Sequence, residues 1–155
     1  MPYVKRVNGN VVGVAKWPSD AYTELVADDN ADLLAFFNPP PSLKDVYEER
    51  DRRLALGFSY DFGDARGVHT IGTTEADLRG WDEVTSAANA MINKGLGDGT
   101  INISTNTGAV QITANEWQDI LLAAAAFRQP IWAASFLLEA MDPIPSDYTD
   151  DVRWT

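Results

Sequence analysis

The chain has 155 residues, one histidine and no cysteine, and 23 acidic against 12 basic side chains give it a net charge of −11. That balance argues against nucleic acid or an anionic membrane as partner, since both reward clustered Lys and Arg. The missing thiols exclude disulfides, zinc–thiolate sites and iron–sulfur clusters. The length suits one domain, or one domain plus a short arm.

Tyr3 to Val14 reads as two short strands around Asn8-Gly9, a strong hairpin signal between β-branched runs. Its alternating polar residues lack the apolar core of a signal peptide. A second extended piece, Tyr22 to Val26, follows the Trp17-Pro18 break. Asp28-Asp29-Asn30 supplies N-cap chemistry for a short helix, Ala31 to Phe37, with Leu33, Leu34, Phe36 and Phe37 as its apolar residues. Pro39-Pro40-Pro41 ends that helix and forms a semi-rigid polyproline spacer. The expected organisation is an N-terminal hairpin and short-helix attachment module over residues 1–38, a Pro-rich linker at 39–42, and a helical α+β domain with a C-terminal tail over 43–155.

Ser42 with Asp45 makes a capping-box-like start for a helix from Leu43 to Leu56, stopped by Gly57. Phe58 to Phe62 alternates with period two and pairs, across a Gly63-Asp64 turn, with Val68 to Ile71. Thr73 or Thr74 caps a helix of about 18–20 residues carrying Trp81, Val84, Ala88 and Met91 at heptad spacing. After Gly95, Gly97 and Gly99 comes another hairpin, Thr100 to Ser104 and Ala109 to Thr113 around Asn106-Thr107-Gly108.

Thr113 or Asn115 caps the last helix, Glu116 to Met141. Trp117, Ile120, Ala124, Phe127, Ile131, Ala134, Leu138 and Met141 recur there at three- and four-residue spacing. Further apolar residues surround that stripe, as expected of a core or oligomer-interface helix. Arg128, Gln129, Pro130 and Glu139 make it a poor membrane span, and Pro130 predicts a kink or a break into two helices. A polar tail follows Pro143-Ile144-Pro145, with Tyr148 and Trp154 as possible anchors. Hairpins interspersed with helices define the fold class as α+β.

Chemistry is sparsely signalled. His69 lies in a predicted strand with no recognisable nucleophile or orienting carboxylate nearby, and reads as structural or surface. Asp61-Phe62-Gly63 lacks every companion motif of a kinase and reads as a turn. Asp28, Asp29 and Asp32, and likewise Asp147, Asp150 and Asp151, lack the ligand spacing of a calcium loop; capping and a solvated tail are the expected roles. Gly95-Leu96-Gly97-Asp98-Gly99 opens a strand and carries no phosphate-binding signature. Arg50, Arg52 and Arg53 among acidic neighbours look like an ion-paired exposed face. No metal or cofactor is expected, and no catalytic residue is assigned.

The order Asp51-Arg52-Arg53-Leu54-Ala55-Leu56-Gly57-Phe58, a Trp-bearing helix, the Thr113-Ala114-Asn115-Glu116-Trp117 helix start, an alanine-rich helix and Pro143-Ile144-Pro145-Ser146-Asp147-Tyr148-Thr149-Asp150-Asp151 resembles a domain family of unknown function. That family occurs in phage and prophage proteins associated with tail fibres. The resemblance covers roughly Ser42 to Trp154 and implies location without mechanism. It implies a virion component, made in the host cytoplasm, that acts in the tail as fibre, fibre adaptor or baseplate-associated protein.

On this reading the partners are other tail proteins and further copies of the chain, a trimer being favoured. The expected contact residues are Trp17, Phe36, Phe37, Trp117, Phe127, Ile131, Ala134, Leu138 and Trp154. A tail-fibre assembly chaperone and a receptor- or glycan-binding tip using Trp17 or Trp154 are the alternatives.

Overall fold

A computed structural model describes all 155 residues. Strands β1 (Tyr3–Val7) and β2 (Asn10–Ala15) pair antiparallel across Asn8 and Gly9, whose φ angles of 51° and 85° fit the tight hairpin turn that matches strand twist. The expected extended piece shortens to β3 (Glu24–Leu25), which adds to the free edge of β1. Helix α1 (Ala31–Phe37) begins at Asn30, whose side chain accepts from the backbone N–H of Asp32 and Leu33. Val4, Val26 and Leu33 form a small apolar cluster of their own beneath this sheet. The Arg6 guanidinium donates to Glu24 (2.8 Å), Asp32 (2.7 Å) and the Gly9 carbonyl (2.7 Å), tying strand, helix and turn together.

Helix α2 (Leu43–Leu54) opens on the Ser42–Asp45 capping box and ends two residues short of the expected Leu56. Gly57 follows at φ +77°, and a Cβ there would stand 2.6 Å from the Ile71 carbonyl oxygen. That close approach brings β4 (Phe58–Asp61) into register with β5 (Val68–Ile71), Phe58 opposite Ile71. The buried Thr73 hydroxyl donates to the Leu54 carbonyl (2.7 Å) and accepts from the Gly57 N–H (2.9 Å). Capping α3 (Glu75–Asn93) therefore falls to Thr74, in a box with Asp77. Strands β6 (Thr100–Thr105) and β7 (Gly108–Thr113) form the last hairpin. Thr113 and Glu116 box the start of α4 (Ala114–Glu139), so the helix begins two residues earlier than expected.

The architecture is α+β: four α-helices with three small antiparallel sheets. Helix α4 is its spine. Its first half joins α3 and the two later hairpins around Ile71, Ala88, Ile112, Trp117 and Ile120. Its second half joins α2 around Val46, Leu54, Ile131, Leu138 and Trp154. Phe58 and Phe127 stack at 5.7 Å between the two cores.

Two expectations are corrected in part. Pro130 lies inside α4, which continues through it, so the break into two helices does not occur. Proline deprives the carbonyl one turn back, on Ala126, of its donor, and Ala126 faces solvent, where water can serve that oxygen. The C-terminal segment is anchored through Trp154, as its aromatic residues suggested, and of Asp147, Asp150 and Asp151 only the last two stay exposed as expected. Ile144 and Trp154 are buried, the Trp154 indole donates to the Tyr148 carbonyl (2.6 Å), and Arg53 donates to the Thr149 carbonyl (2.7 Å).

Candidate functional site

Helix α4 buries one stripe and leaves the opposite stripe bare. Leu122 is 70% exposed, Leu137 67% and Phe136 59%. Leu122, Ala126, Gln129, Ala133, Phe136 and Ala140 are all exposed and follow each other at four- and three-residue steps. This is a heptad seam, with alanine returning at 126, 133 and 140 and larger side chains at 122, 129 and 136. Such spacing keeps a stripe on one face of paired helices, and small residues in it let two backbones approach closely. A lone polar residue in the seam, here Gln129, is the kind that fixes register.

No carboxylate occurs on α4 between Asp119 and Glu139, in a chain whose net charge is −11. Ala125, Leu137 and Met141 beside the seam are exposed as well. Contiguous exposed apolar surface of this kind marks interaction sites. By length and composition α4 also meets the requirement for a membrane span, with a mean hydropathy of 1.4 over its most apolar window. The expectation of a poor span is corrected to that extent.

The residues expected to mediate assembly fall into three groups. Trp117, Ile131, Ala134, Leu138 and Trp154 are buried within the chain. They are the private core of α4, and the expectation that they present an intermolecular surface is corrected. Trp117 also donates its indole N–H to Thr85 (2.9 Å). Phe127 is half-buried against Phe58. Trp17, Phe36 and Phe37 stay exposed on the N-terminal module, the two phenylalanines edge-to-face at 5.5 Å and Lys16 lying over the Trp17 ring. The bare seam was missed because α4 carries two apolar stripes of similar period. The bulkier one drew attention, and no local signal says which stripe has a partner.

The arginine cluster is ion-paired as expected, with Arg52 exposed, but Arg50 and Arg53 are largely covered and fasten the fold internally. Glu49 is buried and accepts from Arg52 Nε and Nη2 (2.7 Å each) and from Arg53 Nε (2.6 Å). These charged donors, Arg52 first, hold its carboxyl below the usual glutamate range. Arg53 continues to Asp151 (2.9 Å) and lies over the Trp154 ring, so it clamps the C-terminal segment to α2. Arg50 is sandwiched between Tyr47 and Trp132. On the other core, Arg66 binds Glu116 and Asp64 and lowers the pKa of both.

The remaining candidates have structural occupations. His69 Nδ1 lies 3.0 Å from the Thr105 hydroxyl, joining two hairpins. Asp32 pairs with Arg6, Asp28 with the N-terminal amine, Asp147 with Arg153 and Asp151 with Arg53. No group of three or more His, Cys, Asp or Glu side chains converges on a metal-sized site. The chain matches no family model, no curated protein and no solved structure.

Proposed function

We propose that this chain is a structural assembly protein of a bacteriophage tail, as fibre, fibre adaptor or baseplate-associated piece, working by protein–protein contact without catalysis. One observation supports the assembly half: the bare heptad seam of α4, apolar, exposed and carboxylate-free. Copies of the chain associate through that seam, and a threefold arrangement is the one a fibre calls for. Assignment to a tail rests on the residue-order likeness between Ser42 and Trp154. The N-terminal module, with Trp17, Phe36 and Phe37 exposed, is the end that docks to other tail proteins.

Two experiments address the two halves. The native chain has no cysteine, so Ala133→Cys introduces a single thiol in the seam. Under mild oxidation it should give covalent dimers far faster than Ser59→Cys on β4, and equal rates would refute the seam. Antibody detection should find the protein in purified tailed particles. Detection in the lysate alone would move the reading to an assembly chaperone whose α4 caps a partner transiently.

A further inference from the structure

Between the first half of α3 and the outer edge of β6 lies a cleft of about 260 Å³ that takes no part in the α4 seam. Its walls are Trp81 from α3, Ile71 from β5, and Asn102 and Ser104 from β6, with Trp117 at its base. Trp81 is half-buried and edge-to-face with Trp117 at 5.5 Å. The Trp117 indole N–H is satisfied by Thr85, whereas that of Trp81 makes no bond within the protein.

The wall offers further unused polar groups. Asp77 commits one carboxylate oxygen, Oδ2, to the Thr74 cap and keeps the other free. The Asn102 and Ser104 side chains lie on the outer face of β6, opposite the buried Ile103, so this strand meets the cleft with its backbone. Thr105 pairs with Gly108 across a two-residue turn. Antiparallel alternation then turns the backbone N–H and C=O of Asn102 and Ser104 away from β7, toward the cleft.

Gly80 gives the cleft its mouth. It sits mid-helix in α3, where glycine is the least favourable residue after proline. A Cβ there would meet nothing within 4 Å. Packing therefore does not demand this glycine, and its missing side chain leaves open space where it lines the cleft.

We propose that this cleft binds one pyranose ring of a neutral saccharide. At about 260 Å³ the cleft falls below the roughly 300–1,000 Å³ of pockets for drug-sized ligands, which suits a single small ring. A pyranose has an apolar C–H face suited to an indole and a girdle of hydroxyls that both donate and accept, which matches the Trp81 indole with its unbonded N–H, the Asp77 carboxylate and the unpaired backbone groups along the β6 edge. Asp77 is the sole charged side chain on the walls, so anionic sugars are disfavoured. The strand segment exposed to the cleft, Asn102 to Ser104, is only about 7 Å long at the usual rise per residue. That suits one sugar ring better than an added peptide strand, which needs a longer edge.

The test is a titration of the full chain with methyl α- and β-pyranosides of glucose, galactose, mannose and N-acetylglucosamine, following the Trp81 indole N–H by NMR. At least one should shift that resonance with a millimolar midpoint, while the Trp154 indole stays fixed. Gly80→Leu should weaken that binding at least tenfold and leave the thermal midpoint equal or higher, since leucine suits a helix and fills only the cleft. The proposal is overturned if no pyranoside moves Trp81, if Gly80→Leu binds as wild type does, or if extended peptides shift Trp81 where sugars do not. None of these outcomes depends on the oligomeric state.

Discussion

Glycine 57 shows how much one residue decides here. It carries a positive φ and lets the chain pass a backbone carbonyl at a distance no Cβ tolerates. Gly57→Ala combines a left-handed alanine with that clash and should cost roughly 2–4 kcal/mol, read as a lower urea midpoint at unchanged slope. Trp154 is a second such position. Its indole fills the core between α2 and the end of α4, so Trp154→Ala should cost about 3–5 kcal/mol by chemical denaturation.

Glu49 supplies a pH signature. Arginine donors lower its folded-state pKa, so the folded chain binds fewer protons than the unfolded one as pH drops. Its contribution is complete above the ordinary glutamate range, about 4.3, and is lost as pH falls through the lower folded value. Glu116, held down chiefly by Arg66, acts in the same sense. Glu49→Gln should therefore be less stable than wild type at neutral pH and lose less on acidification. Parallel stability–pH curves for the two proteins would contradict this.

At the scale of elements, the starts of the helices were legible and the partners of their faces were not. Ser42 with Asp45, Thr74 with Asp77 and Thr113 with Glu116 are local signals, since a capping box lies within four residues. The hairpins were legible for the same reason, because turn chemistry is local. The end of α2 came two residues early because Thr73, far along the chain, takes the Leu54 carbonyl. Pro130 did not break α4 because its orphaned carbonyl lies on the wet side and both cores hold the helix.

The two stripes of α4 can be separated by adjacent substitutions. Ala134 is buried and Ala133 is exposed. Ala134→Glu places an unpaired charge in the core and should cost upwards of about 3 kcal/mol, or unfold the chain outright. Ala133→Glu should leave the circular dichroism of the folded chain unchanged, because its carboxylate meets only solvent in one copy.

Across the whole molecule, the α+β class followed from the order of hairpins and helices, whereas the return of the C-terminal segment did not. Trp154 was legible as a possible anchor, but nothing near it reveals that it inserts beside Arg53, about a hundred residues earlier in the chain. The sugar-sized cleft was equally hidden, since it joins residues from α3, β5 and β6. The N-terminal module has only three buried residues, clustered with one another. Removal of residues 1–38 should leave the main thermal transition within a few degrees of the intact chain; its loss would mean that the two larger cores depend on the module.

The claim that copies assemble through the outer seam of α4 is tested most directly by solution mass. Light scattering across a concentration series should give a trimer or another closed oligomer for the wild-type chain, and a folded monomer for Ala133→Glu. A wild-type monomer throughout the series, or an Ala133→Glu variant that keeps the wild-type mass, would contradict the account.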